Sequence, residues 1–309
     1  MIEWNGYNEN NQDMEIKHLT KLKYTLKNDA LFKLLFVKYP DYLQLLVAEL
    51  LDIDFDNIKQ FNITNPEMTP ENIGDKFCRL DINMMVDGKR VDLEIQVNNE
   101  GDYPERSLFY WAREYSTAIA EGDDYSKLPR VIIISIIGFK LFECDEFHSK
   151  YLALEVTRHT LLTDKMSLHY FELPKLPALE NVKHGKELWL TLINADTEEE
   201  MVKIEAMEAP IMKQVIEAYR HVSASPEFRE IERLRSKARH DEAQALKSAE
   251  KRGEIRGTEI EREKWVGVVA DKDAVIADKD AALADKDAAL ADKDQIIEKL
   301  LAQLNDNEK

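Results

Sequence analysis

The stretch from Arg79 to Val97, RLDINMMVDGKRVDLEIQV, constrains the fold of this chain more than any other. Two runs of alternating apolar and polar residues meet at Asp87-Gly88. This dipeptide favours a two-residue type I′ hairpin turn, because both turn residues must accept a positive φ angle. The turn sets the register of the two predicted strands, and counting outward from it places Asp81 opposite Glu94.

Side chains alternate across a strand, so the predicted hairpin has an apolar face and a polar face. The apolar face would pack on a hydrophobic core, and it consists of Leu80, Ile82, Met84, Val91, Leu93 and Ile95. The polar face carries the two opposed carboxylates together with Arg79, Asn83, Asp92 and Gln96. Like charges that face each other are destabilising unless a cation lies between them, which favours a divalent metal. The alternative is a solvated face of mixed polar residues.

Composition narrows the class of protein. A chain of 309 residues with 44% apolar residues can bury one sizeable core. A net charge of −18 disfavours a non-specific nucleic-acid binder, although the sum can hide a local basic patch. Cys78 and Cys144 lack metal-site spacing, and we find no signal peptide or apolar run of membrane-spanning length. We expect a soluble protein in a reducing cytoplasm.

Helical periodicity accounts for much of the first half of the chain. Apolar spacing after Asn28 and after Pro40 predicts two helices, with Asn28 or Asp29 as the N-cap of the first. The segment from Pro104 to Glu121 predicts a third helix. Its apolar stripe would pack on the sheet, and the residues at that spacing are Leu108, Trp111, Ala112, Tyr115 and Ile119.

Short apolar runs predict the remaining strands of a mixed α/β core. We predict a short strand at Phe61 to Thr64 and edge strands at Leu152 to Thr157 and Ser167 to Leu173. The continuous apolar run from Val131 to Ile137 is typical of a strand buried on both faces in parallel pairing. The chain then becomes helical, with predicted helices at Leu188 to Ala195, Thr197 to Ala209 and Ile211 to Val222.

Four near-identical seven-residue repeats begin at Ala270: ADKDAVI, ADKDAAL, ADKDAAL and ADKDQII. A seven-residue period predicts a helix that supercoils with a partner helix. Only one large apolar residue recurs in each repeat, namely Ile276, Leu283, Leu290 and Ile297. We therefore expect weak coiled-coil association, with a homo-oligomer as its product, or else a solvent-exposed helix.

Asp81, followed on the next strand by Glu94-Ile95-Gln96, resembles the active-site signature of the PD-(D/E)XK nuclease superfamily. That signature is an Asp on one strand and Glu-x-Lys, or a variant, on the next. Gln96 stands here where Lys is usual, so the residue provides an amide and no positive charge.

Two further motifs resemble the Rpn family of recombination-promoting nucleases and transposase-like proteins. They are NDALFKLLF at Asn28 to Phe36 and HYFELPKL at His169 to Leu176, and the helix from Arg106 to Tyr115 is also similar. The resemblance covers about residues 22–176. It implies a restriction-endonuclease-like α/β core, a mixed sheet flanked by helices in the order α-β-β-β-α-β, with a C-terminal helical extension.

The resemblance also implies roles for particular residues. Asp81 and Glu94 would bind Mg²⁺ or Mn²⁺, and Gln96 would orient the attacking water or the phosphate. Asp29 matches an acidic position in the first helix of the family and could reach the site through water; as an alternative it caps that helix.

Three residues are candidate contacts for DNA phosphates. Arg106 and Tyr110 share a helix face away from the predicted apolar stripe, and Lys33 belongs to a basic stretch from Lys17 to Lys38. Ordinary surface ion pairs are the alternative for the arginine.

These observations predict four regions: a polar lead at 1–16, a nuclease-like domain at 17–178, a helical region at 179–250 and a heptad-repeat helix at 251–309. We expect a metal-dependent DNA endonuclease that acts in recombination or mobile-element biology. The alternative is a weakly catalytic protein with a nuclease fold that acts as an interaction module through its helical tail.

Overall fold

The computed structural model of the protein describes residues 20–65, 81–207 and 209–307, with side chains as far as residue 301. The predictions for the polar lead at 1–16 and for Cys78, Arg79 and Leu80 lie outside these residues. The chain divides into two compact units, residues 1–238 and residues 239–309. The sheet and most of the helices belong to the first unit.

Among the described residues, six strands form one sheet in the order β1-β2-β3-β4-β6-β5. Their bounds are β1 Phe61–Ile63, β2 Ile82–Val86, β3 Lys89–Gln96, β4 Val131–Ile137, β5 His148–Leu154 and β6 Leu161–Glu172. Strand β4 runs parallel to both β3 and β6, and the other pairs are antiparallel. All seven residues of β4 are buried, so its prediction as a parallel, doubly covered strand is confirmed.

One strand prediction is wrong. The segment Ser167 to Leu173 was expected at an edge of the sheet, but β6 pairs on one side with β4 and on the other with β5. Strand β5 takes the edge, because the chain turns back after β5 and inserts β6 between it and β4.

Helices lie on both faces of this sheet. Their bounds are α1 Asp29–Lys38, α2 Pro40–Leu50, α3 Tyr103–Ser116, α4 Lys186–Asn194, α5 Glu198–Glu205, α6 Pro210–Ser223 and α7 Pro226–Asn307. Short 3₁₀ turns occur at Phe55–Asn57, Tyr125–Lys127, Leu173–Lys175 and Leu179–Asn181. The side chain of Asn28 accepts the Leu31 N–H at 3.0 Å, so Asn28 rather than Asp29 caps α1.

The turn at Asp87-Gly88 forms as predicted and sets the hairpin register. Both residues have positive φ angles, 47° and 75°. The pairing of β2 with β3 runs from Val86 opposite Lys89 to Ile82 opposite Leu93, as counted from the sequence. The Asp87 carboxylate also accepts the backbone N–H groups of residues 59 and 60, at 3.0 and 2.9 Å, which fastens the turn to the segment before β1.

The apolar face of the hairpin packs into the larger of two hydrophobic clusters. Leu93 of β3 lies in this cluster with Phe36 of α1 and Trp189 of α4. Phe228 and Ile231, at the start of α7, belong to the same cluster. The helices after residue 178 therefore complete the core on one face of the sheet. The sequence predicts them as a separate helical region at 179–250. The predicted domain boundaries stay predictions.

The second unit is the continuation of α7. Its heptad residues Ile276, Leu283, Leu290 and Ile297 are each more than half exposed. A helix through the repeats is thus confirmed, while its association with a partner stays a prediction. Within the described residues, no helix is long and apolar enough to cross a bilayer.

Two histidines interact where β5 meets β6. His148 Nε2 lies 3.1 Å from His169 Nδ1, and His169 Nε2 lies 2.8 Å from the Ser167 hydroxyl. The His148 ring also stacks on Phe171, with ring centroids 4.2 Å apart. Burial, followed by the nearby Lys186 ammonium, lowers the pKa of His148 from 6.5 to about 4. Burial and then His148 lower the pKa of His169 to about 3. Both rings are neutral at neutral pH.

This pair predicts that the protein loses stability in mild acid. In the unfolded chain both histidines have a pKa of 6.5 and take up protons below that pH. In the folded chain the pKa is about 4 for His148 and about 3 for His169, so these protons bind only in stronger acid. The free energy of unfolding should therefore fall as the pH is lowered from 7 to 4. Urea unfolding across this range should show a smaller pH dependence for His169→Gln than for the wild type. Exposed His184, changed to Gln, is the matched control; equal slopes in all three proteins would contradict the assignment.

Candidate active site

The centre of the polar face of the hairpin is buried in the folded protein, whereas Asp81, Asn83 and Gln96 are partly exposed. Asp92 and Glu94 are 6% and 8% exposed, because helix α3 lies over this face and packs on β4 and β6. A solvated face of mixed polar residues is therefore ruled out for Asp92 and Glu94. Two buried carboxylates on one strand require specific partners, since an unpartnered buried charge is strongly destabilising.

Glu94 receives a hydrogen bond from helix α3. The Tyr103 hydroxyl donates to Glu94 Oε2 at 3.1 Å, and Tyr103 itself is 1% exposed. Burial, and then the negative charge of Glu94, raise the pKa of Tyr103 well above 10. The phenol therefore keeps its proton at neutral pH and acts as a donor.

A row of polar residues crosses the sheet beneath α3. Glu94 pairs with Ser135 of β4, and Ser135 pairs with Tyr170 of β6. The Tyr170 hydroxyl makes a short hydrogen bond with the Ser107 hydroxyl of α3. The sheet and the helix thus meet through hydroxyl groups at this row as well as through apolar contacts.

The buried face of α3 differs from the predicted stripe. Its buried residues are Tyr103, Ser107 and Tyr110, whereas Leu108 is 44% exposed. Trp111 and Tyr115 still pack against the cluster, so the prediction is wrong about the centre of the face rather than about the helix. The spacing of hydroxyl residues at 103, 107 and 110 is helical, and this signal in the sequence could have identified the face.

The other end of α3 is fastened to β3 by Arg90. The Arg90 guanidinium donates to the Glu114 carbonyl at 3.1 Å and to the Thr117 hydroxyl at 3.2 Å, and pairs with the Glu114 carboxylate at 3.4 Å. A cavity of about 370 Å³ lies beside this contact, and Asn83 and Asp92 from the polar face line it. The candidate site therefore adjoins a space on the same face of the hairpin.

Asp81 lies directly before β2, where the pairing of β2 with β3 ends at Ile82 opposite Leu93. If the same antiparallel register is continued by one residue, Asp81 lies opposite Glu94. The Asn65 side chain supports this segment on both sides: its Nδ2 donates to the Asp81 carbonyl at 3.1 Å, and its Oδ1 accepts the Asn83 N–H at 2.8 Å. Asn65 is not among the residues predicted from the sequence, and it supports Asp81 from beyond the end of β1.

Gln96 lies at the end of β3, and its Nε2 donates to the Asn98 carbonyl at 2.8 Å. This bond turns the amide nitrogen toward the loop that leads into α3. The amide oxygen is the end of the side chain that can accept a hydrogen bond from a water molecule. The predicted role in orienting water stays a prediction.

The carboxylates suit one kind of metal. Within the described ranges, no three His, Cys, Asp or Glu side chains are grouped so as to hold an ion. Mg²⁺ is usually held by one or two carboxylates, with waters and substrate phosphate completing the octahedron. Asp81 and Glu94, as oxygen donors, fit Mg²⁺ or Mn²⁺ on these terms. The pair does not fit a closed structural zinc site, which needs four ligands.

Asp29 has a structural partner. The Arg235 guanidinium of α7 donates to both oxygens of the Asp29 carboxylate, at 2.5 and 2.8 Å. The Asn28 side chain donates to Glu232 at 3.0 Å, one turn earlier on the same helix. The start of α1 is therefore joined to the start of α7. This contact favours a structural role for Asp29 over the predicted contact with the metal through water.

The joint between α1 and α7 can be tested with a matched pair of arginines. Removing a two-bond contact to a partly buried carboxylate should cost about 1–2 kcal/mol, so Arg235→Ala should lower the free energy of unfolding by this amount. Arg233 pairs with Glu230 on the exposed surface of the same helix, and Arg233→Ala should change stability by less than about 0.5 kcal/mol. Urea unfolding would measure both, and equal losses would contradict the assignment.

The predicted DNA contacts occupy different environments. Lys33 is 3% exposed, because residues 30–36 of α1 are all buried, and Tyr110 is 4% exposed on the buried face of α3. Arg106 is closer to the surface; it pairs with Glu100 at 2.8 Å and lies 5.0 Å from the centre of the Tyr103 ring. We therefore omit Lys33 and Tyr110 from the proposed DNA-binding surface and keep Arg106.

Apart from Tyr170, which lies in the polar row beneath α3, the motif HYFELPKL contributes to the core and to a loop contact. Phe171 lies in the larger hydrophobic cluster. The fully buried Glu172 carboxylate accepts the Leu141 N–H at 2.6 Å and pairs with Lys175 at 2.6 Å. These contacts close the loop that follows β4. The motif thus marks the family through its structural role.

The mixed sheet, the crossover helix α3 between parallel strands and the acidic pair on the hairpin define an α/β fold of the nuclease type. Residues 26–249 match a family model described as PD-(D/E)XK nuclease family transposase, and the chain belongs to this family. It is therefore a nuclease-like, transposase-like protein, as the motifs predicted. Neither the curated proteins nor the solved structures contain a match to the chain.

Proposed function

We propose that this protein is a metal-dependent DNA endonuclease that cuts phosphodiester bonds by water attack. The observation that carries the proposal is the buried carboxylate of Glu94, which sits on the same face of the hairpin as Asp81 and is 8% exposed. The family description supports a nuclease with DNA as substrate. We also propose that it acts in the cytoplasm, in recombination or mobile-element biology.

The proposed site residues have separate roles in metal binding, orientation of water and contact with phosphate. Asp81 and Glu94 would hold Mg²⁺ or Mn²⁺, and a bound ion supplies polarisation of the phosphate and a more acidic water. Gln96 orients the water or the phosphate through its amide. It brings no positive charge to the transition state, so we expect slower cutting than a lysine at this position would allow. Arg106, next to Tyr103, is the proposed phosphate contact on α3.

Plasmid nicking in Mg²⁺ or Mn²⁺ tests the active site. Asp81→Ala and Glu94→Gln should each lower the rate at least about 100-fold, because loss of a metal ligand removes several kcal/mol of transition-state stabilisation. Glu105→Gln is the matched control, since Glu105 is an exposed carboxylate on the same helix as Tyr103, and it should cut at the wild-type rate. Wild-type rates for Asp81→Ala and Glu94→Gln would overturn the proposal.

A second candidate role is an interaction module that works through the tail. It is favoured by the heptad residues of α7, which repeat every seven positions and are more than half exposed. In that case the protein would cut DNA weakly or not at all. The absence of nicking by the wild-type protein would support this role. Both roles are compatible with weak self-association.

Truncation tests the tail. A chain that ends before Trp265 lacks all four repeats, and multi-angle light scattering should show that it is monomeric at concentrations where the full chain associates. The matched variant replaces Ile276, Leu283, Leu290 and Ile297 with Ala and keeps the helix length. If the full and truncated chains have the same number of copies per particle, the tail has no role in oligomerisation.

A further inference from the structure

Tyr103 contacts a proposed metal ligand without belonging to the ligand set. Its hydroxyl donates to Glu94 Oε2 at 3.1 Å, and both residues are buried. A hydrogen bond from a phenol draws charge from the accepting oxygen, so Glu94 Oε2 is a weaker donor to a cation than it would be without this bond. The contact therefore acts on one particular oxygen of the Glu94 carboxylate.

The phenol is held rigidly. Its ring meets the rings of Phe139 and Tyr170 edge-on, with centroids 6.0 and 6.2 Å away, and the Arg106 guanidinium lies 5.0 Å from its centre. Tyr103 is also the first residue of α3 and precedes Pro104, whose ring restricts the backbone there. The hydroxyl cannot follow a carboxylate that rotates, so its position fixes the rotation of Glu94.

We propose that Tyr103 sets the ion selectivity of the site by holding Glu94 as a ligand that binds through one oxygen. This inference rests on the proposed function. Ca²⁺ takes six to eight oxygens and often uses both oxygens of a carboxylate, whereas Mg²⁺ requires an octahedron of short contacts and commonly takes one. A carboxylate whose Oε2 is engaged by a fixed phenol suits the second arrangement. Tyr103 acts through Glu94 and is a positioning residue.

The Tyr103→Phe variant tests this inference, because it removes the hydroxyl and keeps the ring. Isothermal titration calorimetry of the full-length chain with MgCl₂ and with CaCl₂ gives two affinities for each protein. In Tyr103→Phe the affinity for Ca²⁺ relative to Mg²⁺ should rise about 10-fold, the lower range for loss of a group that orients a metal ligand. Each ratio compares the affinities of one protein for two ions. A general loss of stability would lower both affinities and would not raise the ratio.

Tyr170→Phe is the matched control. Tyr170 is a buried tyrosine at the same interface between α3 and the sheet, but its hydroxyl bonds to Ser107 and not to Glu94. Its ratio should equal that of the wild type. An unchanged ratio in Tyr103→Phe, or an equal rise in Tyr170→Phe, would overturn the inference.

Glu94→Gln separates this inference from the proposed function. If the wild type binds Mg²⁺ and Glu94→Gln does not, the metal site stands and the ratio decides the role of Tyr103. If the wild type binds neither ion, or Glu94→Gln binds both as tightly as the wild type does, the proposed metal site itself fails and the inference falls with it.

Discussion

A carboxylate that is buried between a sheet and a helix needs hydrogen-bond donors. In this protein the buried carboxylate is that of Glu94, and the organisation of the site depends on the donor that it receives from the covering helix. Burial of a charge without a partner is strongly destabilising, so the element that covers β3 cannot be uniformly apolar. Helix α3 meets this requirement with Tyr103 over Glu94 and Ser107 over Tyr170. The helix that buries the site also provides its polar contacts.

The connection between β3 and β4 makes this cover unavoidable. Two parallel neighbouring strands need a crossover, and a helix in the crossover packs on one face of the sheet. Here the crossover helix is α3, and it lies on the polar face of the hairpin while α1, α2 and α4 pack on the apolar face. The centre of the polar face is thus covered by α3, and a cavity lined by Asn83 and Asp92 remains on that face.

Several residues that identify the family prove to stabilise the scaffold. Asp29 pairs with Arg235 and ties α1 to α7, and Glu172 pairs with Lys175 and closes the loop after β4. The first contact joins segments that are far apart in the sequence, and the Glu172 carboxylate also accepts the Leu141 N–H, which ties the loop after β4 to the end of β6. A motif in the sequence therefore does not distinguish a residue that touches substrate from one that holds the site in place.

The sequence alone determined the features that depend on neighbouring residues. The Asp87-Gly88 turn fixed the hairpin register, the Ile-rich run identified β4 as a buried parallel strand, and the repeats predicted the helical tail. These follow from backbone conformation and periodicity, which are local. The register that follows from this turn also predicts Asp81 and Glu94 on one face of the hairpin.

Only the tertiary structure decided which surfaces meet. It placed Leu108 outside and Tyr110 inside, put β6 within the sheet, and paired Asp29 with Arg235 across 206 positions of sequence. It also brought Tyr103 to Glu94. Helical periodicity shows that a face exists, but whether that face should be apolar or hydroxyl-rich depends on the groups opposite it. Those groups come from distant strands, and the local sequence contains no record of them.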